Sequence, residues 1–162
     1  MRWLALVVFA LGMAQANAAE CTFETARFDQ PDGWTVQFQP VPRDSSPSQT
    51  ASFILTLRSG VTLTGGIAWP NGYTTPLWFM EGPCSPENQD ICRFTGDDSI
   101  TAYVLGESGI ERLPHEMTGP PPRQILLPRL GSSIWYSFYR GSEFEGDADP
   151  GDVLTFAGCT TQ

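Results

Sequence analysis

The sequence predicts an all-β fold: a small single-domain sandwich or barrel of about eight or nine short antiparallel strands. Three observations lead there. Fourteen prolines and sixteen glycines interrupt the chain at short intervals, as turns between strands do. Between them, apolar and polar residues alternate with period two, the pattern of half-buried strands. Four cysteines form an even set from which two disulfides can staple an exported domain.

The chain starts with a segment that reads as a cleavable signal peptide. Arg2 supplies the positive start, Leu4 to Met13 is apolar apart from Gly12, and Ala16-Asn17-Ala18 is the small-x-small pattern before a cut. The apolar run is about half the roughly 20 residues that an anchored transmembrane helix needs. Glu20 precedes Cys21, where a lipid-anchoring box requires a small residue, so a lipoprotein is disfavoured. Residues 1–18 are taken as the signal and 19–162 as one β-rich domain, with no later membrane span expected.

The strands follow in order. Pro31-Asp32-Gly33 turns into Trp34–Gln39, which alternates cleanly. After a Pro/Ser-rich loop at 42–49, Ala51, Phe53, Leu55 and Leu57 alternate with polar residues up to Ser59-Gly60, and Val61 to Trp69 resumes the pattern. This is a hairpin, and Gly65-Gly66 within it signals a bulge or a close backbone approach. Pro70-Asn71-Gly72 is a turn, Leu77–Met80 a short strand, and Ile91–Phe94 another beyond a cysteine-bounded loop. Ile100–Leu105 and Ile110–Leu113 flank the Ser108-Gly109 turn, and 115–123 is a loop stiffened by Pro120-Pro121-Pro122. Gln124–Leu127 is a candidate strand, and Val153–Ala157 delivers Cys159 to the core. Between them, 130–139 is ambiguous. Leu130, Ile134 and Phe138 have helical spacing behind Pro128, whereas Trp135, Tyr136, Phe138 and Tyr139 favour strand; a short helix is the adopted reading.

Of the three cysteine pairings, Cys84–Cys92 with Cys21–Cys159 is preferred: one closes a short polar loop and the other ties the ends together. The terminal pair closes the longer loop and should stabilise more, on the order of 4–5 kcal/mol against about 2–3. The competing pairing, Cys21–Cys84 with Cys92–Cys159, rests on a repeated Cys-x-Phe at Cys21 and Cys92. A zinc site is disfavoured because there is no Cys-x-x-Cys and His115 is the single histidine.

Every basic residue is arginine, and the formal net charge is −9, one unit more negative once Arg2 is removed. Such a charge repels nucleic acid phosphates and anionic lipid headgroups and leaves basic partners or cations. His115 and Glu116 are the candidates for acid–base catalysis. Neighbours in an extended segment point to opposite faces, however, so Glu116 is badly placed to orient His115, and no Gly-x-Ser-x-Gly supplies a nucleophile. Glu143, Glu145, Asp147, Asp149 and Asp152 are calcium candidates, since carboxylates at alternate loop positions can wrap a hard cation. Pro150 and the lack of a closing glutamate make a solvated acidic loop the favoured reading. Strand alternation sets Trp78 opposite Leu77 and Phe79, a candidate exposed ring for stacking on sugars, and puts Trp69 with Val61, Leu63 and Ile67 in the core.

With no cofactor motif and no recognisable nucleophile, the expected function is a non-catalytic, exported binding or envelope-associated domain. Its place would be periplasmic or secreted, its partner a protein of the cell envelope. The arginine-only basic set and alanine-rich leader suggest a GC-rich bacterium. Two alternatives stand: an acidic inhibitor of a basic exported enzyme, and a hydrolase of cell-wall or sugar substrates working through two carboxylates.

Overall fold

The computed structural model describes residues 21–160, apart from 32, 71–73, 86, 89, 96–99 and 145–150. The leader at 1–18, and Glu145, Asp147 and Asp149, therefore lie outside the described residues.

A 3-10 turn at Phe23–Thr25 precedes β1 (Ala26–Asp29), β2 (Thr35–Gln39), β3 (Gln49–Thr56), β4 (Thr62–Ala68) and β5 (Leu77–Pro83). Then come β6 (Ile91–Arg93), β7 (Ile100–Thr101), β8 (Tyr103–Gly106), β9 (Gly109–Arg112) and β10 (Gln124–Leu126). Two short helices, α1 (Leu130–Trp135) and α2 (Arg140–Glu143), separate these from β11 (Val153–Cys159). The fold is all-β, as expected, and among the described residues α-helix is confined to one connection.

The eleven strands form one antiparallel sheet in the order β6-β5-β4-β3-β2-β1-β11-β10-β8-β9, with β7 on β5. It is a curled half-barrel, and residues 100–106 explain the curl. β7 pairs with β5 (Leu77↔Thr101, Trp78↔Ile100), whereas β8 pairs with β10 (Tyr103↔Leu126). Only Ala102 separates β7 from β8, and its N–H donates to the Pro76 carbonyl at 2.9 Å. One stretch of chain thus stitches strands from opposite ends of the sheet's path, which covers edge groups that would otherwise be unpaired.

The inward positions fill the interior. Phe28, Val36, Phe38, Phe53, Leu55, Leu63, Ile67, Met80, Ile125 and Leu154 are each at most 1% exposed. Phe23, Phe28, Phe38 and Phe53 form a chain of rings with successive centroids 4.9 to 5.8 Å apart, mostly tilted or edge-on, geometries in which aromatic pairs add to simple burial. Gly65 answers to this packing. A Cβ there would overlap the ring of Phe53 on the paired strand, so the predicted close approach is real. The bulge in this hairpin lies on β3 instead, between Gln49 and Ala51. Gly60 supplies the left-handed φ of +85° at the β3–β4 turn.

The preferred disulfides both form, Cys21–Cys159 and Cys84–Cys92, with Cα separations of 5.7 and 4.9 Å. The terminal bond sits where β1 meets β11, beside the Ala26↔Cys159 pair. Trp78 corrects the sequence reading. It is 2% exposed and faces inward with Met80. Leu77, Trp78, Phe79 and Met80 are all apolar, so alternation marks two faces without marking which is buried.

Candidate functional site

One end of the barrel is covered by the connection between β10 and β11, a flap that contains α1 and α2. Leu130 and Ile134 are fully buried under it. Helix α1 follows Arg129, whose φ of 68° is left-handed. Its first N–H groups would be orphans but for Asp152, which arrives from just ahead of β11. The Asp152 carboxylate accepts from the Arg129 N–H at 2.6 Å and the Gly131 N–H at 3.2 Å, capping the helix from outside the local sequence.

The far end of the flap is fastened by Glu143, the one acid side chain that is buried among the described residues. Its carboxylate accepts from the Trp34 indole N–H at 2.8 Å, the Arg58 backbone N–H at 2.9 Å and the Ser59 N–H at 3.2 Å. The Arg58 guanidinium donates to the Glu143 carbonyl. A buried carboxylate costs several kcal/mol unless its oxygens are satisfied; here donors from the β1–β2 and β3–β4 connections do so. Tyr139 adds a second fastening: its hydroxyl donates to the Pro83 carbonyl at 3.0 Å and its ring lies 5.7 Å from Phe94.

With both ends held, the middle of the flap faces outward. Trp135, Tyr136 and Phe138 are 37%, 86% and 53% exposed, an unusual concentration of large apolar rings on a soluble surface. They are not loose. The Arg140 guanidinium stacks 3.9 Å from the Trp135 ring, Phe144 meets Trp135 edge-on at 4.9 Å, and Phe138 meets Tyr139 at 5.5 Å. Phe144 in turn packs edge-on against buried Trp34 at 6.0 Å.

The other sequence candidates are dispersed. His115 and Glu116 are exposed in the 113–123 segment, and the His115 ring lies 5.4 Å from that of Trp69. Among the described residues neither side chain has a hydrogen bond or an ion pair. Of the calcium candidates, Glu143 turns inward and Asp152 caps α1, while Glu145, Asp147 and Asp149 lie outside the described residues. No group of three or more His, Cys, Asp or Glu residues is placed to hold a metal ion among the described residues. A groove of about 580 Å³ runs beside the β8–β9 turn, lined by Leu105, Glu107, Ile110, Pro122, Arg123 and Gln124 among others. Its lining includes one carboxylate and no histidine or hydroxyl nucleophile. Among the described residues no helix is long and apolar enough to cross a membrane.

Sequence reasoning missed the exposed aromatic row because the same rings score as strand formers. Helical spacing marks two of them: with Leu130 and Ile134 spent on the core, Trp135 and Tyr136 turn away from it, whereas Phe138, which that spacing groups with Leu130 and Ile134, is exposed because α1 ends at Trp135. Comparisons with known protein families, with curated proteins and with solved structures returned no match.

Proposed function

We propose that this chain is an exported, non-catalytic binding domain of the cell envelope, periplasmic or secreted, which recognises a protein partner through the outer face of its flap. The observation that carries the reading is the contrast between interior and surface. The barrel is filled by side chains, whereas three large rings of one connection stand in solvent, Trp135 among them packed against Arg140 and Phe144. A filled core with an apolar surface patch favours a binder. A hydrolase working through two carboxylates would instead place a pair across a cleft, and the buried acid described here is engaged with backbone and indole donors. The leader pattern and the two disulfides support export to an oxidising compartment.

Chemical crosslinking of the protein in its native envelope fraction tests this reading. A discrete heteromeric product is expected. Recovery of uncrosslinked monomer alone, with release of soluble sugars from purified cell wall, would replace the binder with the hydrolase.

A further inference from the structure

The aromatic row has a charged neighbour. Tyr139 links the flap to the β5–β6 hairpin through the Pro83 carbonyl, and Pro83 is paired with Ile91 across that hairpin. Ile91 is 66% exposed. Between these two positions runs the loop closed by Cys84–Cys92, which carries Glu87 and Asp90, both exposed. Inside the loop, Cys84 N–H donates to the Asp90 carbonyl at 2.9 Å and Asp90 N–H to the Asn88 side-chain oxygen at 2.9 Å. These bonds and the disulfide tie Asp90 to the start of the loop, and the two carboxylates have no partner among the described residues.

Of the neighbouring bases, Arg93 is neutralised by a carboxylate, and the other two are held in place by a ring and a backbone carbonyl. Arg93 pairs with Glu81 at 2.7 Å, Arg140 stacks on Trp135, and Arg58 donates to Glu143. This surface therefore presents apolar rings, the guanidinium of Arg140 stacked on one of them, and two loop carboxylates, on a protein whose formal net charge is −9.

We propose that the Trp135–Phe138 row and the Cys84–Cys92 loop form one docking surface for a segment of a partner protein that bears lysine or arginine beside apolar side chains. The inference rests on the binding role proposed above and specifies its chemistry. Apolar groups of the segment cover Trp135, Phe138 and Ile91. Its cations meet Glu87 and Asp90 and lie over the exposed faces of Tyr136 and Phe138, where the ring quadrupole attracts positive charge. The overall negative field speeds encounter with such a segment and repels acidic ones. The cross-link of the loop and the ties of the flap through Glu143, Tyr139 and Asp152 lower the ordering entropy lost on binding.

The probe is a labelled synthetic peptide of alternating lysine and leucine, followed by fluorescence anisotropy, with a glutamate–leucine peptide as its counterpart. Tyr136→Ala/Phe138→Ala is expected to weaken binding at least about tenfold, and Glu87→Gln/Asp90→Asn several-fold with a flatter salt dependence. Glu107→Gln/Glu116→Gln, which removes equal charge elsewhere, is expected to leave it unchanged. Equal binding by all variants, equal binding of the acidic peptide, or self-association of the wild type that Tyr136→Ala/Phe138→Ala abolishes would overturn the proposal. The same variants separate it from the parent reading in the envelope crosslinking. A partner retained by Tyr136→Ala/Phe138→Ala overturns this surface and leaves partner binding standing, whereas no partner for the wild type overturns both.

Discussion

Glu143 is the buried charged fastening of the flap on the barrel. It joins an indole N–H from the β1–β2 connection to two backbone N–H groups of the β3–β4 turn, and hydrogen bonds to a charged acceptor contribute roughly 1.5–3 kcal/mol each before context is counted. Glu143→Ala strands all three donors under the flap. It is expected to lower unfolding stability by roughly 2–4 kcal/mol, read by urea denaturation. Trp34→Phe, which removes one donor, should cost less. Nothing in the sequence distinguishes this glutamate from Glu145 or Asp147, because its partners lie 84 to 109 positions away; a run of acids reads as one solvated unit. Tyr139 supplies a prediction in pH. Burial pushes its hydroxyl up from the ordinary tyrosine value near 10, since the phenolate is poorly solvated beneath Phe94 and Phe138. The folded state therefore holds the proton more tightly than the unfolded one. Its contribution is fully present below the unfolded value and is lost as pH rises through the folded one. Alkaline titration of tyrosine absorbance should show a late-ionising group that Tyr139→Phe removes.

Among the elements, α1 shows how a helix can start where local signals are poor. Neither Pro128 nor Arg129 offers a capping oxygen, and Asp152 provides it from beyond α2. Asp152→Ala is expected to cost about 1 kcal/mol and to raise amide exchange selectively at Arg129 and Gly131; uniform loss of protection across the sheet would refute the local role. The same element explains why 130–139 read ambiguously, since its start is fixed by a residue more than twenty positions on. Strands were more legible. β2 to β5 alternate over five to eight residues, long enough for period two to emerge from Trp34, Phe53 or Ile67. β1 escaped notice because it has just two inward residues, Ala26 and Phe28. Ile100–Leu105 reads as one strand, and its division at Ala102 is a tertiary event: the chain leaves β5 for β10 there.

At the scale of the whole molecule, the two disulfides do different work. Cys21–Cys159 spans 138 positions, yet in the folded state its ends are already brought together by the pairing of β1 with β11 and by the Thr160 N–H to the Thr25 carbonyl at 3.1 Å. Its effect therefore falls on the unfolded chain, whose freedom it restricts, on the order of 4–5 kcal/mol in the chain-entropy account. Cys84–Cys92 spans 8 positions and restricts far less, about 2–3 kcal/mol on the same account. That bond instead closes the loop that carries Glu87 and Asp90, the charged part of the proposed docking surface. Replacing each pair with serine should separate the two roles. Cys21→Ser/Cys159→Ser is expected to lower the melting temperature more, while leaving affinity for the lysine–leucine peptide unchanged in the folded protein. Cys84→Ser/Cys92→Ser is expected to lower it less and to weaken that binding, because the loop carboxylates must then be ordered as the partner arrives. Equal thermal losses from the two double variants would show that native-state strain or residual unfolded structure outweighs loop length. Unchanged peptide affinity in Cys84→Ser/Cys92→Ser would show that the loop's fixed shape is irrelevant to docking, leaving the flap to act alone.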